Sequence, residues 1–228
     1  MGKIEAVIFD LDGVITDTAE FHYIAWKKLA EDLGISIDRE FNETLKGVSR
    51  TESLERILEL GNRQNDFSAE EKDELATKKN LHYVELLEQI TPADLLPGIE
   101  YFLKQIRLAG LKIGMASASR NAFLVVDKLE IGHYFDYIVD AATVKNSKPD
   151  PEVFLRAAEA LGVSPDKCVG IEDSVAGVEA INSAGMFSVG IGSWEILSQA
   201  DFVISSTIFL AFDKLKKQYV LLEKNKDF

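Results

Sequence analysis

Two aspartates stand at the end of an apolar stretch near the start of the chain. In AVIFDLDGVI, Asp10 and Asp12 follow a nearly unbroken apolar run and precede a glycine. Residues two apart on an extended chain point to one side, so both carboxylates can share a crevice while Phe9 and Leu11 face the core. Buried charges without a partner are very costly. The pair is therefore either a simple turn that ends a strand or an acidic site that holds a cation.

Three further polar clusters follow predicted strands or lie in their loops: Ser117-Ala118-Ser119, Lys148, and Glu172-Asp173-Ser174. Taken singly, these residues could be a helix cap, a solvated lysine and favourable acidic residues at a helix start. Ligands of open parallel sheets bind at the carboxyl ends of the strands, which places all the clusters along one edge. Carboxylates at that density repel one another unless a cation joins them. Oxygen donors without a His or Cys pattern favour Mg²⁺ over Zn²⁺.

Residues of these types could transfer a phosphoryl group. Asp10 would attack phosphorus to form an aspartyl-phosphate, and Asp12 would act as general acid and then as general base. Ser117, the Ala118 N–H and Lys148 would stabilise charge on the phosphoryl oxygens. One Mg²⁺ per chain would reduce the repulsion between carboxylate and phosphate. Asp12 needs a raised pKa for its role, and a lid closing over it would supply one.

The elements that position these residues alternate along most of the chain. Amphipathic segments with helix boundary signals, such as the one that ends at Gly162, separate short apolar runs. This alternation predicts an α/β fold, a Rossmann-like core with a parallel sheet flanked by helices. The predicted strands are Ala6–Phe9, Lys112–Ala116, Tyr137–Val139, Cys168–Ile171, Phe187–Ile191 and Phe202–Ile204.

Residues 17–92 differ, because they carry helical patterns and no clear strand signal. Asp17-Thr18-Ala19-Glu20 and Ser49-Arg50-Thr51-Glu52 each predict a capping box at a helix start. We therefore predict a helical cap, residues 17–92, inserted into a catalytic core of residues 1–16 and 93–228. Two short polar connections would let this cap rotate as a lid over the sheet edge.

Composition limits the classes of function. The chain has 228 residues, of which 46% are hydrophobic and 28% charged, and its formal net charge is −13. Such an acidic balance argues against sequence-independent nucleic-acid binding. Neither a membrane helix nor a signal peptide is apparent, and the single cysteine, Cys168, fits a small buried residue. We expect a soluble, cytoplasmic monomer without nucleic-acid or membrane partners.

Four motifs in order, FDLDGVITDT, ASAS, SKPDP and GIEDS, resemble those of the haloacid dehalogenase superfamily. The resemblance runs over essentially the whole length, the cap included. The acid at Asp12 counts against a true dehalogenase, since that branch matches at Asp10 only. Within the superfamily the chain is similar to its sugar-phosphate mutases. The resemblance implies reversible conversion of β-D-glucose 1-phosphate to D-glucose 6-phosphate, with β-glucose 1,6-bisphosphate as intermediate and activator.

The motif LKGVSRTES in the predicted cap supports the assignment to the sugar-phosphate mutases. Arg50 lies in the first turn of a helix capped by Ser49, where anions are favoured. A capped helix with exposed cations and no phosphate site would show the same sequence pattern. The resemblance implies that Arg50 holds the non-transferring phosphate and that Thr18 and His22 position Asp12 at the hinge. An ordinary, partly buried histidine is the alternative for His22. The remaining implied substrate contacts are Lys46, Gly47, Val48, Ser53, Ser119 and Asn121, and the implied metal ligands are Asp10, the Asp12 backbone carbonyl, Glu172 and Asp173.

Several other functions compete with a mutase. A phosphatase of the same superfamily, acting on a small sugar phosphate, would share Asp10 and Asp12 and would differ in handing the phosphoryl group to water. A phospho-accepting receiver domain also combines an aspartate with Mg²⁺ at a sheet edge. Receivers lack a helical insertion after the first strand and carry the phosphorylated aspartate on a later strand. A structural protein that only binds metal would keep Mg²⁺ binding and show no turnover.

Overall fold

The computed structural model describes residues 3–226, so the outermost residues of the predicted core, 1–2 and 227–228, lie outside it. The strands in this range are β1 (Ala6–Phe9), β2 (Lys112–Met115), β3 (Tyr137–Ile138), β4 (Cys168–Glu172), β5 (Phe187–Ile191) and β6 (Phe202–Ile204). They form one sheet in the order β3-β2-β1-β4-β5-β6, and every neighbouring pair is parallel. The predicted strands are confirmed, with β2, β3 and β4 ending one residue from the expected position.

Helices fill most of the sequence between the strands. They are α1 (Thr18–Asp32), α2 (Arg39–Glu43), α3 (Arg50–Leu60), α4 (Ala69–Leu87), α5 (Ile99–Leu108), α6 (Ala122–Lys128), α7 (Glu152–Leu161), α8 (Val175–Ser183), α9 (Trp194–Leu197) and α10 (Phe212–Lys226). Among residues 3–226, none of the helices combines the length and apolar character needed to cross a bilayer.

Apolar side chains cover both faces of the sheet. Successive residues of β1 point to opposite faces, so Val7 and Phe9 join one cluster while Ala6 and Ile8 join another. Helix α5 contributes to the first cluster and α7 to the second. A strand buried on both faces needs no polar alternation, which explains the unbroken apolar run before Asp10. The predicted α/β architecture with helices flanking a parallel sheet is confirmed.

The four helices that follow β1 have an apolar cluster of their own. Trp26 and Leu29 of α1 pack there with Leu54 and Ile57 of α3, and Ala76 of α4 joins them. These helices therefore form a body beside the sheet edge with a core of its own, while Ala25 of α1 and Tyr83 and Leu87 of α4 also pack into the cluster on one face of the sheet. The exact limits of the cap, residues 17–92, stay a prediction.

The two connections between this helical body and the sheet run side by side. The Thr16 hydroxyl donates a hydrogen bond of 2.8 Å to the Asp94 carbonyl, and the Leu96 N–H donates one of 2.9 Å to the Ile15 carbonyl. Paired connections confine motion of the cap to one region, as a hinge requires.

Helices α1 and α3 begin where the sequence predicts, but neither forms the complete predicted capping box. Asp17 precedes α1, but its ψ of 45° is not extended, and its side chain accepts no capping hydrogen bond. Ser49 does cap α3 by accepting the Glu52 N–H at 3.3 Å. The Glu52 side chain does not complete the box, because its two carboxylate oxygens face Arg56 and Ser147. The second half of the predicted capping box is therefore wrong.

Candidate active site

Three acidic side chains meet where β1 and β4 end. These strands are neighbours in the sheet, and the Asp10 N–H continues their pairing by donating to the Ile171 carbonyl at 2.9 Å. Carboxylate oxygens of Asp10, Glu172 and Asp173 all lie within 4.8 Å of one another. Segments separated by more than 150 residues in sequence therefore share one cavity edge, as expected for the ends of parallel strands.

Lys148 compensates two of these acids. Its Nζ lies 2.6 Å from Asp10 Oδ1 and 2.8 Å from Glu172 Oε2, and the residue is only 1% exposed. Burial alone would lower the pKa of Lys148, but the Asp10 and Glu172 carboxylates raise it above its usual value. Burial and the neighbouring Glu172 carboxylate raise the pKa of Asp10, and Lys148 opposes them. The lysine therefore favours the ionised form of Asp10 that a nucleophile must have.

The acidic cluster suits a divalent cation with a preference for oxygen ligands. Its three carboxylates supply hard donors, and Mg²⁺ binds such groups with water completing its shell. The turn of Gly13 brings the backbone so close that a Cβ there would lie 2.3 Å from Asp173 Oδ2, at a φ of +78°. Only glycine fits that approach, so the chain is shaped to keep Asp173 against the β1 end. The donor set and its enclosure fit Mg²⁺.

We expect Mg²⁺ to stabilise the protein more as the pH rises from 5 to 8. Burial and Glu172 raise the pKa of Asp173 from 3.8 to about 7, with Lys46 opposing. In the metal-free protein the unfolded state loses this proton first, so stability falls as the pH rises through that window. Mg²⁺ must displace the same proton, so its stabilising effect grows, reaching about 2.7 kcal/mol at 100 times its Kd. Thermal unfolding with Mg²⁺ and with a chelator, at pH 5 and pH 8, measures it.

The control for this experiment is Asp173→Asn, which removes a charge and keeps the shape of the side chain. In this variant the Mg²⁺-dependent rise in Tm is expected to shrink at both pH values. A Mg²⁺ effect that is equal at pH 5 and pH 8, and unchanged in Asp173→Asn, would place the cation elsewhere.

Asp12 follows Asp10 by two residues, and its side chain has partners of its own. Its Oδ1 accepts a short hydrogen bond from the Thr18 hydroxyl, and its Oδ2 lies 3.7 Å from Nε2 of His22. Burial raises the pKa of Asp12, while the Thr18 hydrogen bond and the Lys79 charge oppose the shift. A carboxyl group with a raised pKa retains its proton better, as a general acid requires. Thr18 and His22, the predicted hinge residues, therefore both lie beside Asp12, the predicted general acid.

Lys79 of α4 is a site residue that the sequence analysis missed. It is 3% exposed, and its Nζ lies 2.7 Å from His22 Nδ1, between the rings of Trp26 and Tyr83 at 4.6 and 4.8 Å from their centroids. Burial and the positive charge of Arg50 lower the pKa of Lys79. Burial and the Lys79 charge likewise lower the pKa of His22. The sequence signal that could have revealed this residue is its helical spacing, which places Lys79 on the buried face of α4.

A cavity of about 290 Å³ separates the cap from the sheet edge. Predicted site residues that line it are Asp10, Asp12, His22, Lys46, Gly47, Val48, Arg50, Ser53, Ala118, Ser119, Asn121 and Asp173. Ser117 and Lys148 line a smaller adjoining cavity of about 50 Å³, which Ala118 also borders. Thr18 and Glu172 are fully buried and do not line either cavity. Thr18 contacts Asp12, and Glu172 contacts Lys148 and belongs to the carboxylate cluster. Arg120 and Asn42 also line the main cavity and were not predicted.

Polar contacts hold the cap against the sheet edge. Asn80 of α4 accepts hydrogen bonds from Arg50 at 2.7 Å and, across the cavity, from Asn121 at 2.8 Å. Lys46 of the cap reaches Asp173 at 3.3 Å. The Gly47 backbone packs so closely that a Cβ would lie 2.7 Å from Ser174 Oγ. The cap is therefore closed over the sheet edge in this structure, and Arg50 of the cap and Asp10 of the sheet edge line the same cavity.

Known proteins are similar to this chain over most of its length. The family model of haloacid dehalogenase-like hydrolases matches residues 4–185. A β-phosphoglucomutase of Bacillus subtilis is 49% identical over 216 residues, covering 95% of this chain and 96% of the relative. A phosphorylated carbohydrates phosphatase of Thermotoga maritima is 35% identical over 192 residues, covering 80% and 82%. The crystal structure of a β-phosphoglucomutase from Clostridium difficile superposes with a TM-score of 0.94 at 54% identity, covering 96% and 98% of the two chains.

Proposed function

The chain belongs to the haloacid dehalogenase-like hydrolases, and we propose that within this family it is a mutase that interconverts β-D-glucose 1-phosphate and D-glucose 6-phosphate. The observation that carries the proposal is a cavity between the cap and the sheet edge with candidate phosphate-binding groups on both sides. Arg50 lines it from the cap, and Asp10, paired with Lys148 of the adjoining cavity, lines it from the sheet edge. A mutase needs groups on both sides, because it holds a bisphosphate by one phosphate while the other reacts.

Asp10 is the proposed nucleophile. Lys148 favours its ionised form, and the carboxylate then attacks the phosphorus of a bound sugar phosphate to give an aspartyl-phosphate. Ser117, the Ala118 N–H and Lys148 stabilise the charge on the phosphoryl oxygens. Mg²⁺ held by Asp10, Glu172, Asp173 and the Asp12 carbonyl would supply further neutralisation of that charge. Each of these proposed roles rests on the position of the residue at the sheet edge, beside Asp10.

Asp12 is the proposed proton carrier. As an acid it protonates the departing sugar oxygen, and as a base it then accepts the proton of the sugar hydroxyl that attacks the aspartyl-phosphate. The Thr18 hydroxyl donates to one oxygen of Asp12, and His22 lies 3.7 Å from the other in the closed structure. Proton transfer is thereby tied to closure, which also keeps water from competing with the sugar.

The bisphosphate links the two half-reactions. A phosphoryl group from Asp10 moves to the 6-hydroxyl of glucose 1-phosphate and yields β-glucose 1,6-bisphosphate. The intermediate then turns round, so that Arg50 grips the new phosphate and the 1-phosphate faces Asp10. Lys46, Gly47, Val48, Ser53, Ser119 and Asn121 are the proposed contacts to the sugar and its distal phosphate. A small sugar phosphate is the only partner this cycle requires.

Phosphorus NMR distinguishes the mutase from a phosphatase. With Mg²⁺, β-glucose 1-phosphate and a trace of the 1,6-bisphosphate, the protein is expected to form glucose 6-phosphate without an equivalent amount of free phosphate. Accumulation of inorganic phosphate in place of the 6-phosphate would favour the phosphatase function carried by the Thermotoga relative.

Replacing Arg50 by alanine is expected to raise KM for β-glucose 1-phosphate about 10- to 100-fold, because a charge-assisted phosphate contact is lost. The half-buried guanidinium hydrogen-bonds Asn80, a neutral partner, which leaves its charge to the ligand. Steady-state kinetics measures the effect. Arg39→Ala is the matched control, since Arg39 pairs with Glu20 at 2.8 Å on the exposed side of the cap. Equal KM values in the two variants would contradict the assignment of Arg50.

A further inference from the structure

One hydrogen bond joins the cap directly to the loop that carries Lys148. The Ser147 hydroxyl donates to Glu52 Oε2 at 2.5 Å, across 95 residues of sequence. A hydroxyl bonded to a carboxylate at this distance is a strong, charge-assisted contact. Glu52 is the residue expected to close the capping box of α3, and its carboxylate is turned toward the sheet edge instead.

The loop of residues 145–148 is fastened from two sides. On the sheet side, the Glu152 carboxylate of α7 accepts the Asn146 N–H at 2.8 Å and the Lys145 N–H at 3.1 Å. On the cap side, Glu52 accepts the Ser147 hydroxyl. The Glu152 contacts lie within the core and do not depend on the cap. The Glu52 contact forms only when the cap is closed, because its partners belong to different bodies.

Glu52 is itself held in place. Its other oxygen, Oε1, receives a short hydrogen bond from Arg56 one turn further along α3. The Ser49 cap fixes the backbone of the same turn, which also carries Arg50. Movement of α3 therefore moves the phosphate-binding arginine and the Glu52 carboxylate together.

We propose that Glu52 and Ser147 form a closure latch, in which they are positioning residues that add a second fastening to the Lys148 loop while the cap is shut. The consequence deepens the mutase function proposed above. Sugar bound under a closed cap meets a Lys148 loop that is fastened from both sides, whereas the phosphorylated enzyme with an open cap meets water while Lys148 is held by its core contacts alone. The latch thereby favours transfer to sugar over transfer to water.

A double-mutant cycle on Glu52→Gln and Ser147→Ala tests the latch. Each variant is expected to lower the ratio of transfer to sugar over transfer to water about 3- to 10-fold, since one charge-assisted hydrogen bond is weakened or lost. The double variant is expected to be no worse than the single variants, because the two residues act through one bond. Ser147→Thr keeps the hydroxyl and should restore the ratio. Fully additive losses, or a ratio unchanged in both single variants, would overturn the proposal.

Two controls separate the latch from general damage. Ser164→Ala removes a serine hydroxyl bonded to Asp166 on the exposed surface of the core, and Glu55→Ala removes a carboxylate paired with Lys72 at 2.8 Å within the cap. Both should leave the ratio unchanged. If the wild-type protein transfers phosphate to water alone, the mutase function fails. In that case the rate of phosphate release is measured in the same double-mutant cycle. Strongly coupled effects of the two substitutions on this rate would still support the latch, and additive effects would overturn it.

Discussion

The Asp10→Asn variant is expected to lose turnover by at least about 10⁴-fold, the largest effect of any single change. An amide nitrogen and a neutral oxygen cannot form the acyl phosphate that the carboxylate forms, so the first half-reaction fails. Lys148 would keep its second acid, because Glu172 Oε2 lies 2.8 Å from its Nζ. The amide also fills the same space, so the loss should be chemical and not structural. Steady-state rates on β-glucose 1-phosphate with added bisphosphate measure it.

Circular dichroism and thermal unfolding serve as the control for Asp10→Asn, and both should resemble the wild-type protein. The variant should also fail to acquire a phosphoryl group from the bisphosphate. Activity above about a hundredth of the wild-type rate in a correctly folded variant would mean that another group attacks phosphorus.

Asp12→Ala is expected to lower kcat about 10²- to 10⁴-fold, the range for loss of a positioned general acid and base. Its effect should depend on the leaving group. Acetyl phosphate expels a weakly basic acetate that needs little protonation, so it should still phosphorylate Asp10 in this variant. Transfer from the aspartyl-phosphate to a sugar hydroxyl should remain slow, because no base accepts the hydroxyl proton.

A structural role for Asp12 would give a different pattern. The Mg²⁺-dependent rise in Tm should persist in Asp12→Ala, because the side chains of Asp10, Glu172 and Asp173 remain. If this variant loses Mg²⁺ binding, or is phosphorylated by acetyl phosphate as slowly as by the bisphosphate, the proton-carrier role is wrong.

The sheet and its acidic edge could be predicted because their causes are local. Apolar runs of four or five residues are buried on both faces, and polar residues begin where each strand ends. Once the strands are parallel, Asp10, Lys148 and Glu172 must approach the same edge, whatever the details of the loops. Short helices such as α2 and α9, and the C-terminal α10, lacked such clear signals and were not predicted.

The cap contacts could not be predicted, because they depend on packing between distant helices. Lys79 becomes buried only when α1 and α4 pack together, with Trp26 and Tyr83 around its ammonium group. Glu52 follows a capping-box pattern, yet the nearby Ser147 and Arg56 draw its carboxylate away. Local propensity identified the helix, and tertiary contacts decided which partner the side chain took.

The proposed mutase function requires that Asp10 receives a phosphoryl group and passes it to a sugar in preference to water. A chase experiment measures this preference: the protein is labelled with a radioactive phosphoryl donor in the presence of Mg²⁺, freed of the donor and mixed with β-glucose 1-phosphate. The label is expected to leave the protein much faster with sugar than without it, and to appear in the bisphosphate and the hexose phosphates. Release of the label as inorganic phosphate, at the same rate with and without sugar, would show that water and not sugar accepts the phosphoryl group.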